Sequence, residues 1–163
     1  MTSLFTAAVV AVALVTPAFA VAQGRPDFSG KWEISQAKSS AGATSNSANI
    51  AFPSEMIITQ RSAELQVEAR FPRSEPLTTV YTLDGSEITT GTPAGVAEKA
   101  KATWDGNNLV ITARRVVSSA FGDFVTDSKE IWTRTGSVLT ITKSETSDGV
   151  VTNERAVFER DQP

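Results

Sequence analysis

From Glu55 onward the sequence alternates apolar and polar residues with a period of two, almost without interruption. Successive side chains of a strand point to opposite faces, so this alternation marks strands that turn one face to a core. It predicts strands over 55–60 (EMIITQ), 63–71 (AELQVEARF), 77–83 (LTTVYTL), 96–104 (VAEKAKATW), 108–117 (NLVITARRVV), 123–135, 138–146 and 150–160. With a first strand opening at Gly30-Lys31-Trp32 they make nine. Asp84-Gly85, Asp105-Gly106 and Asp148-Gly149 are dipeptides that favour tight hairpins, because Asp and Gly tolerate positive φ. Residues 36–54 are small, polar and aperiodic, and read as a loop. Helix is confined to at most one short piece, in 36–54 or around 91–97.

The apolar pairs Leu65/Val67, Leu109/Ile111 and Leu139/Ile141 each follow a turn, which supports a meander. Repeated hairpins with one apolar face close into an up-and-down barrel or stack as a sandwich. Sequential hairpins favour the barrel, which also removes exposed edges. The expected fold is therefore all-β, an antiparallel barrel of 8–10 strands.

Upstream lies a different segment. The first 22 residues carry no charged side chain, and Leu4–Val15 is an apolar run of 12 residues, short of the ~20 that span a bilayer. Pro17 breaks it, and AFA or AVA before Gln23 offers the small residues of a cleavage site after Ala20 or Ala22. The segment reads as a signal peptide (1–22) ahead of one domain (23–163), placing the protein outside the cytoplasm, secreted or periplasmic. The alternative of a buried N-terminal helix fits worse with the abrupt polarity from Gln23. The chain has no cysteine, so the exported fold has no disulfide and no lipid-modified Cys.

The charge balance, 15 basic against 18 acidic residues, gives −3 and no footprint for nucleic acid. No second apolar segment suggests an integral membrane span. Without His or Cys there are no Ser-His-Asp or Cys-His nucleophiles, no ordinary zinc site and no His-ligated haem. Tyr81 or Met56 could ligate haem in principle, but neither calls for it, and no cofactor is expected. GTPAG (91–95) lacks the end of a phosphate loop, and the acidic residues lack calcium-loop spacing.

The stretches PDFSGKWEIS, YTLDGSEITT, KATWDGNNLVIT and EIWTRTGSVLTIT together resemble a family of secreted bacterial lipocalin-like proteins of uncharacterised function. Gly30-Lys31-Trp32 in particular resembles the Gly-x-Trp signature of lipocalins and the wider calycin barrels. A large flat indole at Trp32 would close the open end of such a barrel, and Gly30 would let a neighbouring chain pass close beside it; the resemblance implies further that an Arg of the last strand, Arg155 or Arg160, lies across the indole. Stacking of Trp32 on a ligand is the functional alternative.

Strand parity places charged residues on apolar faces: Glu98 with Trp104, Ala102 and Ala100; Arg115 with Leu109, Ile111 and Ala113; Glu130 with Trp132; Lys143 with Ile141; Glu154 with Phe158. Isolated ions do not enter a dry core. These groups are paired, line a wet cavity or sit at a rim, unless bulges reverse the parity. The cavity reading gives an apolar floor and polar mouth, with Arg115 and Lys143 anchoring an anionic head group and Phe71, Tyr81, Trp104 and Trp132 contacting an apolar body. Inward alanines at 69, 100, 102 and 113 would leave it room. Three functions follow: non-catalytic binding of a small apolar or amphipathic molecule; an envelope or inhibitor module with a filled barrel, meeting a protein partner through 36–54; or acid–base catalysis by Glu98 or Glu130 with Tyr81.

Overall fold

The computed structural model describes residues 24–40 and 52–160; the expected signal peptide and most of the 36–54 loop lie outside them. Ten strands follow one another: β1 (Gly30–Ile34), β2 (Glu55–Gln60), β3 (Glu64–Arg70), β4 (Leu77–Thr82), β5 (Ile88–Gly91), β6 (Ala97–Asp105), β7 (Asn108–Ser119), β8 (Gly122–Thr135), β9 (Val138–Ser147) and β10 (Val150–Arg160). The one helical piece among the described residues is a 3-10 turn, Gln36–Lys38.

All pairings are antiparallel, in the order β4-β3-β2-β1-β10-β9-β8-β7-β6-β5. The first and last strands lie side by side, Trp32 opposite Arg160 and Ile34 opposite Phe158. The sheet thus curls into a nearly closed barrel whose two edges, β4 and β5, face each other across a seam. No backbone ladder joins them; a hydroxyl contact does, Thr79 Oγ1 to Thr90 Oγ1 at 2.8 Å.

Two expectations are corrected here. The strands number ten, not nine: β5 is only four residues long, and its Ile-Thr-Thr-Gly carries too little alternation to register. Asp84-Gly85 does not make a hairpin, because β4 and β5 do not pair. The Leu83 amide instead bonds back to the Ala63 carbonyl (2.9 Å), and Asp84 Oδ1 accepts the Ser86 amide (2.9 Å), so the chain is carried across the barrel's end. The other two dipeptides do sit in tight hairpins, joining β6 to β7 and β9 to β10. At the second, both Asp148 and Gly149 take positive φ (49° and 78°).

The ladders from β6 through β10 run one residue against one. Their parity is therefore preserved along each strand, and Leu109, Ile111, Leu139 and Ile141 are all buried, as is Leu65 on β3. The core fills one end of the barrel, around Phe28, Trp32, Met56, Ile58, Trp132 and Phe158.

Candidate functional site

The closed end is built around two aromatic side chains. Trp32 is fully buried, and its indole N–H donates to the Phe28 carbonyl (2.8 Å). Arg134 and Arg160 flank the ring, each guanidinium about 6 Å from its centroid. Such contacts add ~0.5–2 kcal/mol each. Of the two arginines considered from sequence, Arg160 takes this position. Arg155 does not: it is exposed on the opposite face of β10, and its guanidinium donates to the Lys38 carbonyl (3.0 Å). Gly30 (φ 136°) has its α-carbon against the Arg160 side chain, where a Cβ would fall 2.6 Å from Nε. The close neighbour is thus an arginine side chain rather than a passing backbone.

Phe28, which no strand pattern singles out, is equally buried. It stacks on Trp104 (5.9 Å between centroids) and meets Trp132 edge-on (6.1 Å). Gln60 fastens this segment, accepting the Phe28 amide at Oε1 (2.9 Å) and donating from Nε2 to the Pro26 carbonyl (3.1 Å). Trp104, expected on a ligand, belongs instead to this end, with Phe28 on one side and the Arg25 guanidinium 5.2 Å from its ring. Its place at the end of β6, next to the β6–β7 turn, takes it out of the lumen.

The other half of the barrel encloses a cavity of about 740 Å³. Met56, Val67, Ile141 and Trp132 make its apolar floor, Leu77 and Tyr81 stand on β4 beside the seam, and Phe71 reaches the lining from just past the end of β3. The charged side chains that parity turned inward are here: Glu98, Arg115, Glu130, Lys143 and Glu154, joined by Glu145. Continuing the β9 alternation by one more step past Lys143 would have found Glu145. Parity therefore carries these charges into a polar cavity, not into the dry core. On β7 the face runs out at Val117, which is 41% exposed. Of the inward alanines, Ala69 lines the cavity and Ala113 an adjoining recess of about 50 Å³, whereas Ala100 and Ala102 are buried in the wall.

Glu98 stands opposite Arg115 across β6–β7, and Lys143 stands between Glu130 on β8 and Glu154 on β10. Lys143 Nζ bonds Glu145 Oε2 at 3.3 Å, and Glu130 Oε2 accepts the Trp132 indole N–H at 2.9 Å. Burial pushes the Glu98 carboxyl above its ordinary pKa, with Arg115 and Lys143 pulling the other way. Burial, and then the Glu130 and Glu98 carboxylates, likewise push the Tyr81 hydroxyl up. Tyr81 is thereby held as a neutral hydrogen-bonding group rather than a base. A second hollow, of about 680 Å³, lies against the outer face of β5–β8. Its outward-facing charges pair with one another, Lys99 on Glu87 (2.9 Å) and Arg114 on Asp127 (3.4 Å), so the interior cavity is the better candidate site.

No known family model matches the chain, and no curated protein matches it by sequence. Solved structures do match in shape. Zebrafish ileal bile acid-binding protein complexed with cholic acid superposes with a TM-score of 0.59 at 16% identity, over 82% of this chain and 98% of that one. Secretory abundant heat soluble protein 4 from Ramazzottius varieornatus gives 0.57 at 18%, over 82% and 94%. A structure described as the REP1-NXSQ fatty acid transporter gives 0.56 at 16%, over 83% and 96%. The fold is a nearly closed, all-antiparallel β-barrel of the kind these structures share. At such identities the likeness extends to architecture alone. Within it, this barrel keeps a stoppered end and an open, charged one. No helix among the described residues is long and apolar enough to cross a membrane.

Proposed function

We propose that this protein is an exported, non-catalytic carrier that holds one small apolar or amphipathic molecule inside its barrel. The observation that carries the reading is the interior cavity, with apolar side chains below and polar ones above. Its size falls within the ~300–1,000 Å³ of small-molecule sites, and its division into floor and mouth is theirs too. A filled barrel serving only as an interaction module would need no such space. Two of the structural neighbours, the bile acid-binding protein and the fatty acid transporter, agree with the reading by what they carry. Export rests on the apolar leader and its cleavage motif.

Native mass spectrometry of protein purified from its own compartment tests this. The expected result is a retained small molecule, displaced when Trp132 or Tyr81 is replaced by a charged residue. Repeated recovery of the bare polypeptide, together with no uptake of hydrophobic probes, would overturn it.

A further inference from the structure

The inner charges do not balance. Four carboxylates (Glu98, Glu130, Glu145, Glu154) line the cavity against two cations, Arg115 and Lys143. Lys143 is occupied, since it bonds Glu145 and has Glu130 and Glu154 directly opposite on the neighbouring strands. Arg115 has Glu98 opposite on β6 and Thr126 opposite on β8. Among the described residues, Glu98 and Glu154 make no ion pair. An anionic head group would thus enter a site that already holds an excess of two negative charges and has no cation free of a carboxylate neighbour. A cation would meet the reverse, and beside it Tyr81 and Trp132, aromatic side chains of the kind that attract ammonium groups.

We propose that the molecule held in this barrel is an amphiphile with a cationic, ammonium-type head group, not a carboxylate. This rests on the carrier reading above: the cavity is the site, and its carboxylates decide which head group enters. It replaces the anionic head group expected from Arg115 and Lys143 alone. Burial of Glu98 points the same way, because a carboxylate short of solvation gains most from an arriving cation.

Three probes share one alkyl chain and differ in head group: laurylamine, lauryl alcohol and laurate. Calorimetric titration of the purified protein with each, below micelle formation, should give the order amine, alcohol, laurate. The amine should lead laurate by tenfold or more, a difference of about 1.4 kcal/mol. A Glu130→Gln/Glu154→Gln variant should bind amine more weakly and laurate more tightly, because two negative charges are lost while Gln at 130 still offers the Trp132 N–H an acceptor. If the pair does not fold, Glu154→Gln alone carries the comparison. Laurate or alcohol binding as tightly as the amine overturns the head-group inference while leaving the carrier reading intact. Amine binding indifferent to the interior variants places it on the outer surface and also overturns the inference. Failure of all three probes to bind overturns the carrier reading itself.

Discussion

Trp32 and Glu98 occupy the same barrel wall system but answer to different physics. The Trp32 indole has no exposed surface and packs beneath two guanidinium groups. Trp32→Ala removes that volume from a closed end that cannot easily collapse, and should lower unfolding free energy by ~3–5 kcal/mol in urea denaturation. Glu98 should behave oppositely. Its folded-state pKa is raised above the ordinary 4.5, chiefly by burial. Below that ordinary value the carboxyl is protonated in folded and unfolded chains alike, and costs nothing. As pH climbs from 4.5 towards the raised value the unfolded chain ionises first and the folded state loses relative stability, a loss complete once pH has passed the raised value. Glu98→Gln should therefore melt higher than the parent at neutral pH, with the difference vanishing on acidification below about pH 4. Melting curves across that range check the sign.

Among the elements, β4 and β5 are the weak pair. Each has a ladder on one side only, and between them stands the Thr79–Thr90 contact. Their seam-facing amides should exchange with deuterium well before those in the centre of β7, β8 and β9, which are laddered on both sides. Uniform protection around the barrel would mean that the seam is closed in solution. The same elements mark how far the sequence could be read. β2 and β10 were legible to the residue, and β6 to β9 within two, because each carries several turns of strict alternation between a hydrophobic and a polar face. β5 carries one half-buried Ile88, and four residues cannot establish a period. The seam was illegible for another reason: which strands pair is decided by closure of the whole sheet, while Asp84-Gly85 looks locally like any hairpin turn. In the site, parity brought Glu98, Arg115, Glu130 and Lys143 to one cavity because the ladders contain no slip. Trp104 shares the Glu98 parity, yet alternation reports a face and not a height along the barrel. Phe28 was out of reach, since it stoppers the barrel from a segment with no regular structure.

For the molecule as a whole, the carrier proposal puts stability and binding at opposite ends of the barrel. Phe28→Ala should lower the melting temperature, losing ~3–5 kcal/mol of packing, while leaving affinity for an interior ligand within about twofold. Glu154→Gln, half-buried near the mouth, should change affinity and scarcely move the melting temperature. Parallel melting and titration curves for both variants separate the two functions, and a shift of both quantities in either variant would deny the division. This separation also has a consequence for attachment. Arg25 lies on Trp104 and Arg160 on Trp32, so the polypeptide enters and leaves the barrel at the same pole. A tether, tag or fused partner joined next to Arg25 or Arg160 would hang from the sealed base and leave the aperture pointing outward, where the proposed cargo would enter.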